Sequence, residues 1–348
     1  MNFKRIKQKL KHMTSKQIAL SILCGVLAVI LLIMLGATIY LENMLNRINR
    51  EVDDSTMSSE EYDAFLNSQT ETVPHDFTGE TIHPDDVQWE ENSELIAHGK
   101  NYINILLIGQ DRRPGEGRQR SDAIILCTVN KKDGSVTMTS FMRDMYVQIP
   151  GYQDDRINAC YPLGGMKLLD ECIEKNFGIR VDGNVEVDFD GFAGIIDAMG
   201  GVDIELTDAE ARYLNGYYHW NLSSGLNTLN GEQALGYARN RSIGNSDFER
   251  TNRQRKVVNA LIERSRSLSL KQIDSLLKEL LPMVTTDLTN SQIMGYAADV
   301  FPMLKNISVV SQRVPADGMF QSAMIRGMDV LLPDLEASRQ MLKDTLAK

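Results

Sequence analysis

Apolar positions along the chain change their spacing, and each change predicts a different kind of structure. From Ile18 to Leu41 the chain runs 24 residues without a charge. As a helix this stretch would reach roughly 36 Å at about 1.5 Å per residue, enough to cross a hydrocarbon core of about 30 Å. One transmembrane helix is therefore expected over residues 18–41. A cleaved signal peptide fits less well, since its apolar region is usually about 7 to 15 residues and Tyr40-Leu41-Glu42-Asn43 is a poor cleavage site. From residue 42 to 99 apolar positions are sparse and show no long period, which reads as an acidic stalk, helical at first and irregular through Thr72 to Asp86.

A domain is expected over residues 100–348, where short apolar runs alternate with helical patterns, as in an α/β class. Asn104–Ile108 is an apolar strand of the buried kind. Ala123–Val129 and Val136–Phe141 are β-rich and joined by Lys131-Lys132-Asp133-Gly134, so an antiparallel hairpin is expected with Asp133-Gly134 as a two-residue turn. That register sets Asp122 opposite Met145 and within two residues of Arg143. A helix from Gly165 to Asn176 closed by Gly178, and a strand Asn184–Phe189, follow. Next come a helix capped by Asp190 and ending at Gly200-Gly201, and a strand Val202–Leu206. Ser246-Asp247-Phe248-Glu249 reads as a capping box opening a further helix. Beyond Leu268 lie two helical patterns and a strand near Ile307–Val310.

Charge orients this scheme. Lys4, Arg5, Lys7, Lys9, Lys11 and Lys16 fill the basic tail 1–17, whereas residues 42–99 carry fifteen Asp or Glu against Arg47 and Arg50. By the positive-inside rule the N-terminus is cytoplasmic and everything after Leu41 extracytoplasmic, which places the protein in the cell membrane as a single-pass chain. The net charge of −10 argues against a role in gripping nucleic acid, which depends on neutralising many phosphates. Cys24 falls in the span, leaving Cys127, Cys160 and Cys172, too few for a disulfide framework although one pair is possible. No CxxC, HExxH, GxSxG or Walker A motif occurs.

The chemistry gathers at predicted strand ends. The loop Gly109-Gln110-Asp111-Arg112-Arg113 through Arg120-Ser121-Asp122 carries four arginines and two aspartates, and the hairpin brings Asp122 and Arg143 to one sheet edge. In Tyr237-Ala238-Arg239-Asn240-Arg241, alternate arginines of an extended chain would point the same way. In the helix from about Asp247, Val257, Val258, Leu261 and Ile262 mark the buried face, and stepping back along it reaches Gln254 and Arg250. Arg255, Lys256, Arg264 and Arg266 are expected at the solvated surface. A buried guanidinium needs an anionic partner. Two carboxylates suit a hard divalent cation such as Mg²⁺, which usually keeps waters and substrate phosphates in its shell. Five or more guanidiniums suit phosphate oxygens. Together they point to phosphoryl transfer.

These residues, with Arg143-Asp144, Gly200-Gly201-Val202-Asp203 and the run from Asp247 through Arg250 to Gln254, resemble the ordered motifs of the LytR-CpsA-Psr family. The resemblance implies an α/β/α sandwich with a mixed central sheet and an apolar prenyl cavity. It also implies an Mg²⁺-dependent phosphotransferase that moves an undecaprenyl-pyrophosphate-linked glycopolymer, such as teichoic acid or capsular polysaccharide, onto peptidoglycan. Carried over by position, Asp111 and Asp122 hold the metal, and Arg113, Arg120, Arg143, Arg239, Arg241, Arg250 and Gln254 bind the pyrophosphate. Arg143, Arg239, Arg241 and Asp247 act in catalysis, Asp247 as a carboxylate near the acceptor hydroxyl. Met142 departs from the family's usual proline before Arg-Asp and is expected to loosen the Arg143 turn. Two other readings use the same residues: a non-enzymatic membrane sensor or attenuator that binds lipid-linked wall precursors, and a polyprenyl pyrophosphatase.

Overall fold

The structure, a computed structural model, describes residues 34–51, 57–67, 79–90, 94–112, 117–244, 246–266 and 268–347. The chain divides into two compact units, residues 1–47 and 48–348. In the first, residues 34–45 are helical and expose Met34, Leu35, Ile39 and Tyr40. The basic tail 1–17 and residues 18–33 of the expected span lie outside the described residues. Among the described residues no helix is long and apolar enough to cross a membrane.

The second unit is a mixed α/β fold around one seven-stranded sheet. Its strands are β1 (Asn49–Arg50), β2 (Tyr102–Gln110), β3 (Ser121–Asn130), β4 (Ser135–Phe141), β5 (Gly183–Asp188), β6 (Thr285–Thr286) and β7 (Ser308–Val314). Their order is β1-β6-β5-β2-β3-β4-β7, with β2–β5 and β4–β7 parallel and β2–β3–β4 antiparallel. Its helices include α1 (Ser59–Asn67), α2 (Cys160–Phe177), α3 (Phe189–Ala198), α4 (Asp208–Tyr218), α5 (Gly231–Arg239), α6 (Ser246–Arg266), α7 (Leu270–Leu280), α8 (Asn290–Val300) and α9 (Leu335–Leu346).

Strand alternation divides the core. Leu106, Ile108, Ile124, Leu126 and Phe141 pack with Leu169, Ile173 and Phe177 of α2 and Leu342 of α9. Ile103, Ile125, Val129 and Met138 point the other way, against Val258 and Ile262 of α6 and Tyr296 and Val300 of α8. Both sheet faces are thus covered by helices, which is why β2 reads as nearly continuous apolar sequence. A third cluster joins the hairpin Val202–Leu206/Gly225–Leu229 to Ile196 of α3, Leu214 of α4, Ala234 and Tyr237 of α5, and Val257 of α6.

Several local expectations are corrected. The β3–β4 hairpin closes through four residues, not two: Asn130 pairs with Ser135, and Gly134, at φ +72°, ends the loop. Asn130 and Asp133 hold it by accepting from the amides of Lys132 and Ser135. Asp188, not Asp190, caps α3, accepting from the Gly191 amide at 2.9 Å. The acidic segment 42–99 supplies sheet strand β1, helix α1 and a strand Glu80–Thr81 paired with Ala323–Met324. Its Tyr62, Phe65, Trp89 and Ile96 pack on the α2 core. Cys127, Cys160 and Cys172 are free thiols.

Candidate functional site

The carboxyl ends of β2, β4, β5 and β7 meet the start of β3 at one sheet edge, where open α/β sheets place ligands. A β-bulge between Gly109 and Gln110 leaves Asp122 as the extra residue beside the last ladder pair, Gln110–Ser121, and Asp111 follows that pair directly. Bulges at sheet edges re-aim side chains, and here the bulge turns Asp122 toward Arg143. Continuing the observed hairpin register sets Asp122 opposite Arg143 itself, two residues from the sequence expectation.

Arg143 Nη1 donates to Asp122 Oδ1 at 2.5 Å. The Met142 amide donates to Val314 O at 2.8 Å, a bond proline cannot make, so the departure from the family pattern ties the Arg143 turn to β7 and does not loosen it. Arg143 also lies 3.4 Å from Asp144 and 3.6 Å from Asp247. Asp247, in the first turn of α6, meets Arg241 Nε at 3.1 Å and Arg250 Nε at 3.3 Å, while Arg250 Nη1 is 3.9 Å from Asp122. Asp122, Arg143, Arg241, Asp247 and Arg250 thus form one connected group.

Asp144 and Arg156 complete it, with Arg156 Nη1 4.0 Å from Asp144. Neither was assigned a role from sequence. Asp144 stood beside Arg143 in the quoted motif, but Arg156 had no signal, because it reaches the site only through the pairing of Tyr146–Val147 with Asp155–Arg156.

Arg239 and Asp111 form a second group, 3.7 Å apart, with the Arg239 guanidinium 4.4 Å from the centre of the Phe189 ring. Arg239 is the last residue of α5 and Arg241 lies beyond it, so the expected extended run is replaced by a helix end, and the two guanidiniums face different carboxylates. Arg120 lies over the Phe65 ring of α1 at 5.2 Å. Arg113 lies outside the described residues. Arg255 departs from the surface expectation and is buried.

Beneath Arg239 is an apolar cavity of about 200 Å³ between the sheet and helices α3, α5 and α6. Leu107, Ile125, Val187, Phe192, Ile195 and Leu261 line it, and Arg239 and Gln254 are the polar groups on its wall. Gln254 therefore borders this slot, one helical turn beyond Arg250.

Electrostatics separate the members. Burial depresses Arg250 to about 10, reinforced by Arg143 beside it, and its Nε and Nη2 make no hydrogen bond. Arg143 is also penalised by burial, but Asp144, Asp247 and Asp122 outweigh this and raise it. Burial raises Asp144 to about 6, aided by a hydrogen bond with Asp247, whereas that bond and three arginines hold Asp247 low against its own burial. On acidification the pair takes up its first proton on Asp144, near pH 6.

Asp111 and Asp122 are partly exposed, at 44% and 28%, and their carboxylates face the same edge as the arginines. Among the described residues no three His, Cys, Asp or Glu side chains converge as a cage. Asp111 and Asp122 are each ion-paired to an arginine yet reachable by solvent, and carboxylates of this kind are the donor type Mg²⁺ uses when water and phosphate oxygens complete its shell.

Comparison with known proteins gives consistent relatives. The sequence model of the LytR_cpsA_psr family matches residues 64–347. The polyisoprenyl-teichoic acid--peptidoglycan teichoic acid transferase TagU of Bacillus mycoides (strain KBAB4) is 34% identical over 219 residues, 62% of this chain and 69% of TagU. TagT bound to LI-WTA superposes with a TM-score of 0.59 at 26% identity, covering 72% of this chain and 92% of TagT. The LytR-CPS2A-psr family protein YwtF (TagT) with bound octaprenyl pyrophosphate lipid gives 0.53 at 26% identity, with the same coverage of 72% and 92%.

Proposed function

Because this chain belongs to the LytR-CpsA-Psr family, we propose that it is a phosphotransferase moving a polyprenyl-pyrophosphate-linked glycopolymer onto peptidoglycan at the outer face of a membrane. The observation that carries this reading is the apolar slot that borders Arg239 and Gln254 beside a carboxylate–guanidinium group. A ligand with a greasy chain and a multiply charged head fits that juxtaposition, and a purely water-soluble phosphate ester would leave the slot unused. Teichoic acid is the cargo named for TagU, and octaprenyl pyrophosphate is the lipid named for YwtF (TagT).

In this reading the first isoprene units lie between β2, α3 and α6, against Phe189 and Phe192. Arg239 and Gln254 take the lipid-proximal phosphate. Arg143, Arg241 and Arg250 take the phosphate that carries the polymer, supplying the missing partner for the Arg250 nitrogens. Asp111 and Asp122 would hold Mg²⁺, which when bound supplies positive charge to the pyrophosphate oxygens. A peptidoglycan hydroxyl attacks the polymer-bearing phosphorus, the bond to the lipid phosphate breaks, and polyprenyl phosphate leaves. The hydroxyl proton passes to Asp247, held in place by Arg241, Arg250 and the Asp144 hydrogen bond. The arginines stabilise the transition-state oxygens from fixed positions.

The test is transfer of a synthetic polyprenyl-pyrophosphate glycan to peptidoglycan by the full-length chain in detergent, with Mg²⁺ or with chelator. Arg239→Ala should lower turnover by about a hundredfold or more while leaving thermal melting intact. Unchanged turnover in that variant, or release of free polymer without attachment, would overturn the assignment as a transferase.

A further inference from the structure

A second buried guanidinium with nitrogens that make no hydrogen bond lies on another face of α6. Arg255 is 7% exposed, and its Nε and Nη1 make no hydrogen bond among the described residues. It stands five residues beyond Arg250, about 140° around the helix, so the two point in different directions. Their electrical neighbours differ accordingly. Arg250 responds to Arg143, Asp247, Arg241 and Asp122, and Arg255 to Arg313 and Glu249.

Glu249 favours the charge of Arg255, but the other polar groups around it are donors left without hydrogen bonds. Ser140 of β4 is 1% exposed and its Oγ makes no hydrogen bond. Ser140 is the cross-strand partner of Arg313 on β7 and shares strand parity with Met138, whose side chain meets α6. Arg313 Nε is likewise without a hydrogen bond, and its guanidinium lies 4.5 Å over the Phe248 ring at the start of α6. It forms an ion pair with Asp317, an 89% exposed surface carboxylate of the kind that contributes little and is easily displaced. Two like charges side by side, one of them buried, are costly unless an anion joins them.

We propose that Arg255, Arg313 and Ser140 form a second oxyanion site, which takes one phosphate group entering past Arg313 in place of Asp317. Guanidiniums bind tetrahedral oxyanions through paired N–H groups, and the serine hydroxyl supplies a further donor. The phosphate has two possible sources, a phosphodiester farther along an anionic glycopolymer or free inorganic phosphate. The polymer source rests on the function proposed above; the site itself does not.

Calorimetric titration of the full-length chain in detergent with inorganic phosphate should resolve two sites per chain. Arg255→Gln should abolish one or weaken it at least tenfold, without lowering the melting temperature, and Arg241→Gln should affect only the other. Should Arg255→Gln fail to fold, Arg313→Gln and Ser140→Ala apply the same criterion at positions that carry no unpaired buried charge. Identical stoichiometry and affinity in wild type and these variants would overturn the site. Loss of binding with Arg255→Gln but none with Arg241→Gln would sustain it and count against the first site instead. A parallel titration with a glycerol phosphate trimer separates the sources. Trimer binding weakened by both variants identifies the polymer, whereas weakening by Arg255→Gln of inorganic phosphate binding alone identifies the free ion.

Discussion

Arg250 and Arg253 leave α6 three residues apart, both nearly inaccessible to solvent, yet their surroundings differ in kind. Arg253 is saturated: Nε donates to Glu210 at 2.9 Å, and Nη1 and Nη2 donate to the carbonyls of Asn240 and Ile243, each at 3.0 Å. Glu210 in turn completes the capping box of α4 with Thr207. Arg250 faces carboxylates at longer range and keeps two nitrogens without hydrogen bonds. The first guanidinium locks the 240–243 segment to α4 and α6, and so fixes where Arg241 can reach. The second is left open toward the space where a phosphate would lie. Burial alone therefore does not mark a functional arginine; burial without saturation does.

The largest effect should come from breaking the saturated partner. Arg253→Ala leaves Glu210 buried without its cation and should cost about 3 to 5 kcal/mol, read as a fall in thermal stability. Arg250→Ala removes a guanidinium with two nitrogens lacking hydrogen bonds, and Asp247 keeps Arg241 and Arg143, so melting should fall less than in Arg253→Ala while transfer falls by about 10²- to 10³-fold. Similar melting in the two variants would erase the distinction drawn here.

A pH titration sharpens it next. Asp144 is raised to about 6 from an ordinary value near 3.8. It keeps its proton below about 6 in the folded protein, and the stability this lends fades as pH rises from about 4 through 6. The pH dependence of kcat/KM for transfer should bend near 6 in the wild type, and Asp144→Asn should remove that bend. A bend that persists in Asp144→Asn would assign it to another group.

The smallest effect concerns a buried carboxyl remote in chemistry from the arginines. Asp170 is raised to about 8, by burial first and then by Asp287, Glu51 and Glu171, against a hydrogen bond from Asn184. Its protonated form favours folding below about 4, and this contribution declines as pH climbs through 8. Asp170→Asn should therefore raise the melting temperature more at pH 8 than at pH 5, by several degrees, with no change in transfer. Equal gains at both pH values would argue that Asp170 is ionised throughout.

Much of the site was legible because its residues sit at fixed offsets from strong local signals. The Asp-Gly hairpin placed Asp122 near Arg143, and the apolar stripe of α6 pointed back to Gln254 and Arg250. The errors share a cause. The hairpin register depended on Asn130 and Asp133 capping the loop with side chains, which makes four residues cheaper than two. The arginines at 239 and 241 were read as one extended run because nothing local shows that α5 ends at Arg239. Arg255 read as surface because the α6 stripe says which positions face the sheet, not that remote groups such as Arg313 of β7 come beside the rest of that helix.

Sequence by itself determined the α/β class, the central β2–β3–β4 strands and the helix that opens near Asp247, the charge asymmetry about the apolar run, and the residue types that meet at the sheet edge. These follow from short-range periodicity, turn chemistry and composition, which the chain carries whatever its partners in space. Only the tertiary structure decided which guanidiniums are saturated, that Asp144 and Arg156 join the site, and that an apolar slot lies beneath Arg239. Saturation and cavities are properties of distances between remote segments, set when the two faces of one sheet are packed, and no local pattern encodes them.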